Sequence, residues 1–145
     1  MKLGKFFVKI NLRTEISDGT DRQLTTLEAA GELFQTERQT VIRFTEQVEE
    51  QPDVKTMITI KPKQVTIKRS GGVEMHQQFN TLKITETIYR HQFGSMRMET
   101  QTDAFLYKPL SNTSHAELSL DYRTKLAKEE ERKHKLMLLI EEDKS

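Results

Sequence analysis

The sequence predicts an all-β fold: a single antiparallel domain over residues 1–145 that closes into a small barrel of about 8–10 strands. Three observations predict it. Apolar residues recur at a period of two through most of the chain, which puts residues i, i+2 and i+4 on one face of a strand. The residues between them are mostly charged or polar, so one face is buried and the other wet, as in antiparallel sheets. Turn-forming residues fall between the alternating runs at the spacing of barrels and sandwiches.

Alternation first appears in Val8-Ile10-Leu12, interleaved with Lys9, Asn11 and Arg13. Asp18-Gly19 then suits a tight hairpin whose central residues need positive φ. Residues 26–35 are ambiguous. Leu27, Glu28, Ala29, Ala30, Glu32 and Leu33 are good helix formers. Gly31 argues against a helix, and a strand leading into Thr40-Val41-Ile42-Arg43-Phe44 is preferred. Pro52-Asp53 and Pro62 cannot continue a ladder, since proline has no N–H to donate, and they bracket Thr56-Ile58-Ile60. Val65-Ile67-Arg69 follows, with Ser70-Gly71-Gly72 as the turn into Val73-Met75-Gln77-Phe79. Gly94-Ser95 marks a turn or bulge before Met96-Met98-Thr100-Thr102, and residues 109–114 read as a polar loop. Leu118-Leu120-Tyr122-Thr124-Leu126 is the next strand. Residues 125–142 are the second ambiguity. Residues 127–133 have strong helix propensity, and Leu136, Leu139 and Ile140 would share a helix face. Leu136-Leu138-Ile140 also alternates, and the strand just before it favours a hairpin with a charged connection over 127–133. No fixed-period repeat, low-complexity tract or linker divides the chain.

Composition narrows the function classes. The 145 residues suffice for one core, and folding should bury roughly two-thirds of the unfolded surface. Cysteine is absent, which excludes disulfides, thiolate metal sites and a cysteine nucleophile. Lys plus Arg total 23 against 22 Asp plus Glu, a balance that argues against a dedicated nucleic-acid binder. Phe6-Phe7-Val8 is too short for a signal peptide, and no run approaches the ~20 apolar residues of a membrane span. A soluble cytoplasmic protein with no membrane association is expected.

One segment run carries a family likeness. Residues 67–79, with Arg69-Ser70-Gly71-Gly72-Val73-Glu74-Met75 at their centre, are followed by Tyr89, Phe93-Gly94, residues 96–102 and Leu118-Ser119-Leu120-Asp121-Tyr122. In order and spacing they resemble the YwiB-like family of uncharacterised bacterial proteins. The likeness spans nearly the whole chain, is strongest over 61–126 and is thin over the first fifty residues. It implies a calycin-like β-barrel, related in architecture to lipocalins, with no established activity, and it decides 125–142 in favour of strands. Many members carry a Thr-Pro pair where this chain has Arg90-His91-Gln92-Phe93. The family supplies no catalytic residue to carry over.

Candidate functional residues follow from the strand phasing. Arg69 falls on the inner face just before the hairpin glycines, where a guanidinium could hold a carboxylate or phosphate in a bidentate fork. The alternative is an internal carboxylate partner, since a buried charge needs one whatever its role. Gln77, Thr100, Thr102, Tyr122 and Thr124 share that face with Met75, Phe79, Met96, Met98 and Leu120. Such a set makes an apolar pocket with a few convergent polar groups, and methionine adapts to varied ligand shapes. It equally makes a filled core, because small barrels are commonly packed solid. His76, His91, His115 and His134 lie on separate segments without metal-ligand spacing, so no metal or cofactor is expected. No G-x-S-x-G occurs, and no serine is paired with a base in sequence, so an enzyme is the least supported reading. Lys55, Lys61, Lys63, Lys68 and Arg69 form a basic stretch over 54–70 that could serve an RNA or anionic partner. It contains no aromatic residue on which bases could stack. Leu136-Met137-Leu138-Leu139-Ile140 is apolar on both strand faces, which suggests cover by another element or a second subunit. The expectation is a non-enzymatic barrel holding a small, partly apolar or anionic ligand; the alternatives are a filled barrel acting through protein contacts, a homodimer included, and an RNA-associated module.

Overall fold

The computed structural model describes residues 2–47, 49–126 and 129–144. Ten antiparallel strands follow one another as β1 (Gly4–Ser17), β2 (Arg22–Gln35), β3 (Thr40–Glu46), β4 (Val54–Ile60), β5 (Val65–Gly71), β6 (Met75–Phe79), β7 (Thr85–His91), β8 (Gly94–Lys108), β9 (His115–Leu126) and β10 (Arg132–Glu142). Each pairs with its sequence neighbour, and β10 returns to pair with β1 from Val8↔Glu142 to Ser17↔Lys133. Neither ambiguous region contains a helix among the described residues. Residues 26–35 lie within β2, and the connection after β9 is shorter than 127–133, because Arg132 and Lys133 already belong to β10. Ala127 and Lys128 of that expected connection lie outside the described residues.

Every pair of neighbouring strands shares a backbone ladder except β6 and β7, although β2 meets β3 only over Gly31–Gln35 and β8 meets β7 only up to Thr100. The β6–β7 seam is closed by one reciprocal bridge, Glu74 N–H to Arg90 O and Arg90 N–H to Glu74 O, both 2.8 Å. Two threonine hydroxyls replace the missing ladder: Thr85 Oγ1 donates to Gln78 O (2.7 Å) and Thr87 Oγ1 to His76 O (3.3 Å). The barrel is therefore nearly closed, which leaves no long hydrogen-bonding edge at the seam.

The inner face is filled at one end only. Val8, Ile10, Leu33, Ile60, Phe79, Leu118, Leu138 and Ile140 are all essentially inaccessible there. The β8–β9 connection, expected as a polar loop, contributes Leu110, which is fully buried as a plug. Fully buried Gln35 fastens it: its amide donates to Leu110 O (3.1 Å) and to Lys2 O, while its oxygen accepts from Leu110 N–H (3.2 Å) and the Tyr107 hydroxyl (3.0 Å). A side-chain amide is required because it both donates and accepts.

Candidate functional site

The opposite end is a cup of about 710 Å³ to whose wall all ten strands contribute. Strand count explains the space, since about eight strands already give an interior that side chains just fill, and ten enclose more. The apolar wall comes from Leu12, Ile58, Ile67, Met75, Met96 and Met98, each on the inner face of its strand. Of the residues expected on that face, Arg69, Gln77, Tyr122, Thr124, Met75, Met96 and Met98 line the cup. Phe79, Thr100, Thr102 and Leu120 do not. They share the inner face but lie further along β6, β8 and β9 toward the filled end. Phe79 is core, and Thr100 Oγ1 is taken by the Gln77 amide at 2.9 Å. Thr102 Oγ1 is buried without a partner.

Arg69 does not present a free fork. Its Nη2 is 3.1 Å from Glu46 Oε2, and both side chains are largely withdrawn from water. Glu46 also accepts from Thr56 Oγ1 at 3.3 Å. The Arg69 Nε is buried with no partner, so the guanidinium keeps donor capacity beyond the ion pair. The carboxylate was legible by alternation, two residues after Phe44.

Across the cup, the rings of Tyr122 and His134 stack at 4.6 Å with 5° between their planes, and Phe79 meets Tyr122 edge-on at 4.7 Å. Burial pushes the Tyr122 phenol up to about 12. Burial, with Arg132 nearby, pulls the His134 imidazole down to about 4, so the ring is neutral at physiological pH. His134 Nε2 lies 2.7 Å from Thr124 Oγ1. Cross-strand pairing thus joins a hydroxyl to an imidazole that sequence spacing left apart. Among the described residues no group of three His, Asp or Glu side chains could hold a metal ion.

The basic stretch divides on folding. Lys55 and Lys68 are exposed on the outer face, Lys61 and Lys63 flank Pro62 in the β4–β5 turn, and Arg69 points inward. Met137 and Leu139 lie half-buried on the outer face, beside Arg13 and Asn11 of β1 and Ser119 and Glu117 of β9. A larger hollow of about 950 Å³ also lies on that outer side. Charged Lys9, Glu28, Glu117 and Glu141 rim it, whereas the cup is lined by the inner faces of the strands. The cup is the better candidate. No helix of the described residues is long and apolar enough to cross a membrane.

Comparison with known proteins agrees with this architecture. The chain is 21% identical over 134 residues to the uncharacterised β-barrel protein YwiB of Bacillus subtilis, covering 92% of each. The crystal structure of YwiB superposes with a TM-score of 0.84 at 19% identity, over 96% of this chain and 93% of that one. At that identity the likeness concerns the fold alone. The model of a domain of unknown function, DUF1934, matches residues 10–138. With nearly the whole barrel inside that match, the chain belongs to the DUF1934 family.

Proposed function

We propose that this chain is a non-enzymatic, cytoplasmic binding protein that holds one small, partly apolar molecule in its cup. The observation that carries the reading is the cup itself: an open-mouthed hollow of about 710 Å³, with three methionines in its wall, at one end of an otherwise packed barrel. That volume lies within the ~300–1,000 Å³ range of small-molecule sites. The ligand's apolar body rests on Met75, Met96 and Met98, and a carbonyl or carboxylate oxygen accepts from the Arg69 Nε. Glu46 offsets the guanidinium charge, so the head group is selected as an acceptor more than as an anion. Binding is favoured over catalysis because His134 is a poor base: an imidazole with a pKa near 4 takes a proton from a hydroxyl at neutral pH only with difficulty.

The test is titration of purified protein with the neutral fluorophore N-phenyl-1-naphthylamine, alongside native mass spectrometry of freshly isolated material. Saturable binding of one probe per chain is expected, weakened about tenfold or more by Met98→Glu, which puts a charge in the apolar wall. Absence of both saturable binding and a retained small molecule would sink the reading.

A further inference from the structure

β2 pairs with β1 along its whole length, from Arg22↔Ser17 to Gln35↔Gly4, but with β3 only from Gly31↔Phe44 to Gln35↔Thr40. Among the described residues, no strand pairs with residues 22–30 on the β3 side, and no backbone hydrogen bond is made there. The phase of this free edge is fixed. Thr36 N–H donates to Gln39 O at 2.9 Å, so hydrogen-bonded pairs alternate outward from that turn through Phe34–Val41 and Glu32–Arg43. The even-numbered residues Arg22, Leu24, Thr26 and Glu28 therefore direct their N–H and C=O groups to the open side.

A strand edge of this kind is a template for another strand unless it is blunted. Another unpaired edge among the described residues, the part of β8 beyond Thr100, is blunted: a register shift at Asp103 twists it, Asp103 is held by Arg123 at 2.8 Å, and Lys108 ends it. Residues 23–27, Gln23-Leu24-Thr25-Thr26-Leu27, have no charge, no proline and an unbroken register with β1. Leu24 is 68% exposed.

We propose that residues 22–30 form a homodimer interface in which the β2 edges of two copies pair antiparallel about a two-fold axis at Thr25. Arg22 is ion-paired with Glu15 of its own chain but stays largely exposed. Its remaining guanidinium donors, with the exposed Glu28, give the charge complementarity that selects the second copy and the register. Centring on Thr25 places each Arg22 opposite the partner's Glu28 and each Leu24 opposite the partner's Thr26, all at hydrogen-bonded positions. Centring on Leu24 or Thr26 loses both Arg22–Glu28 contacts. Opposite charges directly across an antiparallel pair stabilise it, and like charges destabilise it. The second copy covers the flank where β2 and β3 diverge, beside Thr25, Leu27, Phe44 and Glu46 of the cup wall.

Sedimentation velocity tests the register directly. The wild-type chain is expected to dimerise reversibly at micromolar concentrations. Arg22→Glu alone and Glu28→Arg alone are each expected to weaken the dimer about tenfold or more, since each homodimer then carries two like-charge pairs. Mixing the two variants restores dimer, because every Glu then faces an Arg. Thr26→Pro keeps the monomer's β1 ladder, as the Thr26 N–H faces the free edge, yet blocks pairing; an unchanged circular dichroism melt of dilute protein verifies the fold. A wild-type chain that stays monomeric at about 100 µM overturns the proposal. So does a dimer that survives Thr26→Pro, or variants that fail to rescue one another on mixing.

Discussion

His134 shows how one buried ring can set the acid stability of the barrel. Stacked on Tyr122 and bonded to Thr124, the imidazole is costly to protonate, and its pKa falls to about 4. The unfolded chain protonates the same ring near 6.5. Between those values the unfolded state binds a proton that the folded state refuses. The contribution is therefore complete above about pH 6.5, declines as pH falls and is gone by about pH 4. Because the ring is still partly wetted, the effect is discounted to roughly 1–2 kcal/mol. Urea denaturation of wild type and His134→Gln at about pH 7.5 and 4.5 measures it. Wild type should lose more stability between the two than the variant, by that amount; equal losses would show that the ring is not buried neutral. Carrying the Leu136-Leu138-Ile140 alternation two residues back puts His134 on the inner face, so its position is legible in the sequence, although the alternating apolar run itself begins only at Leu136. Its partners are not, because Tyr122 and Thr124 meet it only through the β9–β10 register.

At the scale of the element, single residues decide where strands turn and part. Gly31 sits where β3 leaves β2, and a Cβ there would lie 2.5 Å from Arg43 O and 2.7 Å from Ile10 Cδ1. The carbonyl belongs to the backbone and cannot swing aside. Gly31→Ala is therefore expected to cost about 2–3 kcal/mol, although alanine is otherwise favoured over glycine in a strand. A thermal melt measures it, and an unchanged midpoint would mean the two strands do not approach this closely. In β8 the irregularity at Asp103 switches the inward face from even residues, Thr100 and Thr102, to odd ones, Phe105 and Tyr107. The sequence contains that switch as a change of parity after Thr102. A period-two pattern alone could not say whether it marks a bulge or the end of a strand.

For the whole molecule, stability and site are separated along the barrel axis. Leu110 and the side chains around it fill one end, and the cup occupies the other. Leu110→Ala is expected to cost about 2–5 kcal/mol, while Met98→Ala in the cup wall costs under about 1 kcal/mol, because only the first leaves a cavity in packed surroundings. Chemical denaturation of both variants checks this; equal costs would mean that the cup is as tightly packed as the core. Local sequence determined most of the strands, their inner and outer faces and the turn positions, because each depends on neighbours one to four residues away. Over 26–35 and 125–142 local propensity left helix and strand in competition, and pairing in the barrel decided for strand. It also put Arg69, Gln77 and Tyr122 on the inner face. Tertiary structure alone decided that β10 returns to β1, that Glu46 claims Arg69, that Leu110 leaves a polar loop to plug one end, and that part of β2 keeps an open edge. Each of these joins residues distant in sequence, where barrel circumference and register, rather than local preference, determine which side chains meet.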